Sequence, residues 1–363
     1  MRFRAGLRVV AALAGTLAAV TPVTPASAHQ VGGMGATNFN VTLTALAPAV
    51  AGVSLRVIDN GSRLEVRNDT DAVVVVAGYG GEPYARVGPD GVQLNDDSPA
   101  TVLNADRYLT GGIPSTADGR GAPAWRQVSE DPVWRWHDHR VHWSSITLPP
   151  AVAEAPGEVH RIRDWTVPLW YGDAMTPLAA TGTLDWVPGP SPWPWFMLAA
   201  LLVAGVVALA FLRAPHRPLA GAVGVFLAAY LLHGIGVTVA VAGSVPQKLS
   251  VLFGAESFLV WPFAVLIGVL LWRRRTWAAW LSAGLGLVVA TQVYRGDAAV
   301  WWNSSAPTAL PSTVNRLAVA LVVGIGAGLV VVLPVLLRRH QEWSAAPTSS
   351  LRRELTRSAT ASG

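Results

Sequence analysis

The sequence predicts an α+β membrane protein, an extracytoplasmic β-sandwich followed by a bundle of about five transmembrane helices. Three observations carry this expectation. The chain opens with a signal-peptide pattern, its next 160 or so positions read as short β-strands, and the remainder holds five apolar runs of membrane-spanning length. Composition agrees: of 363 residues, 52% are hydrophobic and 13% charged, against about 25% charged in a typical soluble domain.

Residues 1–28 form the signal peptide. Arg2, Arg4 and Arg8 precede an apolar stretch from Val9 to Val20, and Ala26-Ser27-Ala28 supplies an A-x-A cleavage site. That stretch is shorter than the ~20 residues a membrane span needs. Cleavage after Ala28 leaves His29 as the first residue of the mature chain.

Residues 29–188 are the β-sandwich domain, Ig-like or cupredoxin-like. Val41–Ala45, Ser54–Ile58, Arg63–Arg67 and Val73–Ala77 are short and rich in Val, Leu, Ile and Thr. Asp59-Asn60-Gly61 and Pro89-Asp90-Gly91 supply hairpin turns, because Asn and Gly tolerate the positive φ such turns need. The stretch 101–126 lacks a pattern and reads as a long loop.

A Pro-rich linker, 189–193, leads to apolar runs at 194–212, 218–243, 249–272, 276–293 and 314–337. Basic residues follow the odd-numbered runs: Arg213 and Arg217, Arg273-Arg274-Arg275, then Arg338-Arg339. The positive-inside rule thus predicts a multi-pass cell-membrane protein with the sandwich outside and the C-terminus in the cytoplasm. Trp301-Trp302 reads as an interfacial marker, and 338–363 as a disordered cytoplasmic tail.

Charge is divided unevenly. Residues 29–192 carry 11 Arg against 18 Asp or Glu, a net −7, and the rest of the chain carries +12. The basic residues flank apolar runs, so the pI of about 10.1 reports membrane topology and lipid contact and predicts no nucleic-acid partner. With no cysteine, disulfides, thiolate metal sites and thiol nucleophiles are excluded.

The densest chemistry is Trp134-Arg135-Trp136-His137-Asp138-His139-Arg140-Val141-His142-Trp143. On a strand, His137 and His139 share a face roughly 6.5 Å apart, close enough for two imidazoles to converge on one metal. Asp138 and His142 would lie on the other face as supporting groups. Imidazole suits copper, zinc and iron alike. His29 adds an α-amino group beside its own imidazole, a bidentate nitrogen chelate of the kind Cu(II) favours. The same segment also reads as a metal-free aromatic core strand, with Asp138 and Arg140 as an ion pair.

The order of signal peptide, mature N-terminal His29, β-sandwich and membrane helices, with Asp138 and His139 downstream, resembles the CopC-type copper-resistance proteins. Those chains use Asp-x-His where this one has His-Asp-His. The segment 134–143 is similar to one in uncharacterised membrane proteins of high-GC Gram-positive bacteria. The first resemblance implies a copper cofactor and copper handling or resistance.

Within the apolar runs, His233 and Glu256 fall in the outer half and are expected to face the bundle interior, either in helix–helix hydrogen bonds or as a proton or metal relay below the outer domain. No nucleophile elbow, P-loop, dinucleotide fingerprint or His-Glu-x-x-His occurs, so no enzymatic activity is expected. Two functions remain: an extracytoplasmic metal-binding module, most readily for Cu(II), or a metal-free envelope scaffold that docks a partner protein.

Overall fold

The computed structural model describes residues 35–360 except 106, 109–111 and 113–116; for 255–258 and 339–360 it describes the backbone alone. The signal peptide and His29 lie outside the described residues, as does the side chain of Glu256.

Turn chemistry organises the β half. β2 (Val53–Ile58) and β3 (Arg63–Asn68) are joined at Asp59, Asn60 and Gly61, whose φ angles are 52°, 54° and 86°. All three are left-handed, which explains the Asp-Asn-Gly sequence. β5 (Pro83–Gly88) and β6 (Gly91–Asn95) are joined through Gly91 at φ 95°. A Cβ there would sit 2.1 Å from the Ser129 carbonyl oxygen, so only glycine fits.

Among the described residues, ten strands, all antiparallel, make two sheets. With β1 (Phe39–Ala47), β4 (Val74–Ala77), β7 (Trp125–Ser129), β8 (Val133–Trp136), β9 (His160–Tyr171) and β10 (Thr176–Trp186), the larger sheet runs β1-β10-β9-β4-β5-β6-β7 and the smaller β2-β3-β8. One apolar core is shared between them. Leu55, Leu64, Val66 and Trp136 of the small sheet meet Val74, Val76, Val87, Val167 and Leu169 of the large one. The strand period of two puts alternate residues on the opposite face, where Glu65 stands between Arg56 and Arg135 in register. It takes their guanidinium Nε atoms at 2.6 and 2.5 Å. Burial works to raise the Glu65 carboxyl, but the two arginines outweigh it and hold it below the usual range.

Short helices α1 (Pro99–Leu103) and α2 (Pro150–Glu154) interrupt the strands. The helical half comprises α3 (Trp193–Leu209), α4 (His216–Ala240), α5 (Val245–Leu252), α6 (Ala255–Trp272), α7 (Ala278–Asp297) and α8 (Ser312–Thr360). Two segments, His216–Ala240 and Ser312–Arg338, are long and apolar enough to cross a membrane; Trp193–Leu209 and Leu259–Trp272 are shorter apolar helices. The predicted run 249–272 is divided: α5 opens with a Ser244/Gln247 capping box, and Gly254 caps the start of α6. The backbone of α8 stays helical to Thr360, through the segment whose composition predicts disorder.

Glycines allow the helices to approach closely. A Cβ on Gly326 of α8 would lie 2.8 Å from the Ala290 Cβ of α7, and one on Gly286 would lie 2.4 Å from the Gly326 carbonyl oxygen. Gly324 and Gly328, four residues apart, face Ala199 and Val206 of α3 in the same way. Such spacing of small residues is what apolar helices use where van der Waals contact drives association. Trp301, expected at an interface, is fully buried and stacks edge-on against Phe196.

The two halves meet at the loop before α8. Thr37 and Ser305 exchange two backbone hydrogen bonds of 2.9 Å, and the Ser304 amide donates to Asn38 Oδ1 at 2.8 Å. Beside this contact lies a cavity of about 520 Å³, bounded by β1, the β2–β3 turn, the end of α4 and residues 305–308.

Candidate functional site

β8 delivers the histidine-rich segment and then stops. Its last register pair with β3 is Trp136 opposite Leu64. The expected continuation of the strand through His139 does not occur, because Asp138 bends the chain. Its carbonyl accepts from the Val141 amide at 2.9 Å and the His142 amide at 3.3 Å, and its carboxylate accepts from the Arg140 amide at 3.1 Å. Asp side chains favour such turns because they bond the backbone two residues ahead. The turn replaces strand alternation as the rule for which side chains meet.

Asp138 is fully buried and engaged. Trp136 Nε1 donates to it at 2.9 Å, and Arg140 donates through Nε and Nη2 at 2.8 and 2.7 Å. Arg140 also donates to the carbonyls of Ala77 and Gly78, both at 3.1 Å, and lies over the Tyr79 ring at 5.0 Å. Burial acts to raise the Asp138 carboxyl; the Arg140 charge and the Trp136 hydrogen bond outweigh it and hold the group below its usual range. Asp138 therefore holds the turn, with its oxygens committed to Trp136 and Arg140. The ion pair and aromatic packing anticipated for a core segment are both present.

The turn gathers three imidazoles. The His142 ring stands 4.9 Å from that of His139 and 5.9 Å from that of His137, centroid to centroid. His137 Nδ1 contacts the Ser62 carbonyl at 2.9 Å, and His139 Nε2 contacts the Leu103 carbonyl at 2.8 Å. A carbonyl only accepts, so each contacting nitrogen carries the proton, and the lone pair of a neutral ring is left on His137 Nε2 and His139 Nδ1. The latter is buried with no hydrogen-bond partner, and so are both nitrogens of His142. A ring held through one N–H by a backbone carbonyl, with its other nitrogen free, is the usual outer-shell arrangement of metal-binding histidine.

Electrostatics favour the neutral form of His142 and His137. Burial pushes His142 down to about 3, helped by His139, Arg107 and His137, against an opposing contact with the Trp143 backbone. Burial also lowers His137, and Arg63 and Arg107 add to it, against the opposing hydrogen bond to Ser62. Neutral imidazole is the ligand form, but the arginine charge opposes a cation. Arg63 is balanced by its ion pair with Asp59. Arg107 lowers both rings as well.

As they stand, no three His, Asp or Glu side chains among the described residues are arranged to hold one metal ion. With metal–nitrogen bonds of about 2.0–2.1 Å, two rings at square or tetrahedral angles stand roughly 4.5–5.2 Å apart, centroid to centroid. The His139–His142 pair already has that separation. His137 is too far by about 1 Å on the same measure. A metal held by all three rings would need His137 to close in on His142.

The second group lies among the helices. His233 is buried, with Nδ1 2.8 Å from Asn315 Oδ1 and Nε2 3.4 Å from Asp297 Oδ2. These partners come from α8 and the last residue of α7. Sequence reasoning placed Glu256 beside His233 and missed both: Asp297 falls just past the end of its apolar run, and Asn315 is the second residue of the next. The backbone carbonyls of Ser62 and Leu103 that orient the histidines leave no mark in residue type at all.

Searches against protein-family models, curated proteins and solved structures found no match to the chain.

Proposed function

We propose that this is a membrane-anchored extracytoplasmic metal-binding protein, with Cu(II) handling as its role and His137, His139 and His142 as its ligands. The observation that carries the reading is His142: a buried imidazole with both nitrogens unpartnered, set between two others whose outer nitrogens are tied to backbone carbonyls. Burying polar nitrogens without partners costs free energy, and a metal is the partner that three neutral imidazoles share. His29, with its α-amine, is an additional nitrogen chelate for the same ion, and Asp138 serves by holding the turn. The two-sheet domain is read as a β-sandwich on the outer side of the membrane, anchored by five spans with the C-terminus inside. The anchoring is argued from the basic residues after α3, α6 and the apolar part of α8.

The test is titration of the full-length protein, exported so that the signal is cleaved and purified in detergent, with Cu(II) against a competing chelator. One copper per chain, with nitrogen hyperfine structure in its electron paramagnetic resonance spectrum and loss of binding in His139→Ala/His142→Leu, supports the reading. Binding no tighter than that of the double variant refutes it.

A second reading is favoured by the Asp138–Arg140–Trp136 network, which packs the segment without any ion: a metal-free envelope scaffold that docks a partner protein. It predicts that the same double variant folds normally and that added copper leaves wild-type stability unchanged.

A further inference from the structure

We infer that occupancy of the histidine cluster is communicated to the helical half through the β2–β3 turn, which His137 grips on one side and the loop before α8 grips on the other. The inference rests on the metal reading above and adds to it a means of regulating the helices.

The contacts run as follows. His137 Nδ1 donates to the Ser62 carbonyl at 2.9 Å, and the Ser62 amide donates to the Asp59 carbonyl at 3.2 Å, closing the turn. At the tip, Asn60 Oδ1 accepts from Ser305 Oγ at 2.5 Å. Ser305 is held to Thr37 by two backbone bonds, and four residues on the Ala309 amide donates to the Gly236 carbonyl of α4 at 2.9 Å. The loop lies directly on α4 there: a Cβ on Gly236 would sit 2.6 Å from Leu310 Cγ and 2.7 Å from Thr308 Oγ1. Gly236 is three residues from His233, and α8 begins at once with Ser312 and reaches Asn315, the partner of His233. A single turn of four positions, 59–62, thus has the metal candidate at one end and the buried His233 group within reach of the other.

The cavity of about 520 Å³ makes the route specific. It separates the turn from the end of α4, so those two elements are not packed directly against each other. The tip of the turn is tied to this loop by the Asn60–Ser305 bond, while Thr37 and Asn38 hold the same loop to the β1 flank through Ser305 and Ser304.

The direction follows from acid–base chemistry. A metal on Nε2 of His137 makes its Nδ1–H a stronger donor. The Ser62 carbonyl is then held more firmly, the turn opens less often, and the bonds from Ser305 and Ala309 are protected.

Hydrogen exchange of the full-length protein in detergent, with and without saturating Cu(II), tests this. Copper uptake is measured on the same samples. In the wild type, exchange of the Ser305 and Ala309 amides is expected to slow by about fivefold or more on copper binding. In Asn60→Gly, which keeps the positive φ and loses the amide, and in Ser305→Ala, copper still binds and still slows exchange at 59–63. Protection at Ala309 is lost in both. Wild-type copper binding without any change at Ser305 and Ala309 would overturn the inference and leave the metal reading intact. Undiminished transmission in both variants would also overturn it. No copper uptake by the wild type would sink both.

Discussion

Lowering the pH from 7 to 5 is expected to destabilise the metal-free protein by about 2 kcal/mol, mainly through His142. In the fold this ring is pushed down to about 3 from the 6.5 it has in an open chain. Between those values the unfolded chain binds the proton and the folded one does not, so stability falls as pH drops through that window. Each unit of pH below 6.5 costs roughly 1.4 kcal/mol, giving about 2 kcal/mol at pH 5 and only a few tenths at pH 7. Of the groups facing His142, His139, Arg107 and His137 act in the same sense as burial, and the contact with the Trp143 backbone opposes them without reversing the shift. The assay is guanidinium unfolding of the full chain in detergent with EDTA, followed by tryptophan fluorescence, at both pH values. His142→Leu is the comparison. It removes two nitrogens that have no partner, so at pH 7 it is expected to be as stable as the wild type or more so. At pH 5 it should have escaped most of the loss. Equal acid sensitivity in the two proteins would refute the claim that His142 is buried and neutral.

Two further outcomes test other parts of the structure. Asp138→Asn leaves the guanidinium of Arg140 without its carboxylate and should cost about 3–5 kcal/mol in the same unfolding assay, with or without metal. A loss under 1 kcal/mol would show the turn to be held by something else. Gly286→Ala puts a methyl 2.4 Å from a backbone oxygen of α8, whereas Gly284→Ala, on the same helix, meets nothing within 4 Å. The first should lower stability by about 1–3 kcal/mol and the second should be neutral or slightly stabilising, as read by thermal unfolding.

Most of the fold was legible because it rests on local rules. The turn residues Asp59-Asn60-Gly61 and Gly91 announce their hairpins through the φ angles they alone tolerate, and four of the five apolar runs each fall on one helix because length and hydropathy are properties of single segments, while 249–272 is divided at Gly254. The site was legible only in its residue types. His137, His139 and His142 do come together, yet by a different geometry from strand alternation. One carboxylate, Asp138, accepts from the backbone ahead of it, and that single bend decides which rings meet. The orienting partners are carbonyls of Ser62 and Leu103, donated by distant elements whose side chains give no hint of it. Asp297 and Asn315 were missed because an apolar run is judged by its middle, while polar partners gather at its ends.

The contact between Asn38 and Ser304 spans 266 positions of chain. At a synthesis rate of about 5–20 residues per second, the loop that completes this contact emerges roughly 15–50 s after the first β-strand. The β half can pair its own strands in that interval, since every strand lies before position 187. Its β1 flank and the tip of the β2–β3 turn, however, stay bare until α7 has been made and the loop after it has been threaded to the same side. Docking of the halves is thereby a late event in biosynthesis. A chain in which it fails leaves Thr37 and Asn38 without the Ser305 and Ser304 partners that close the junction.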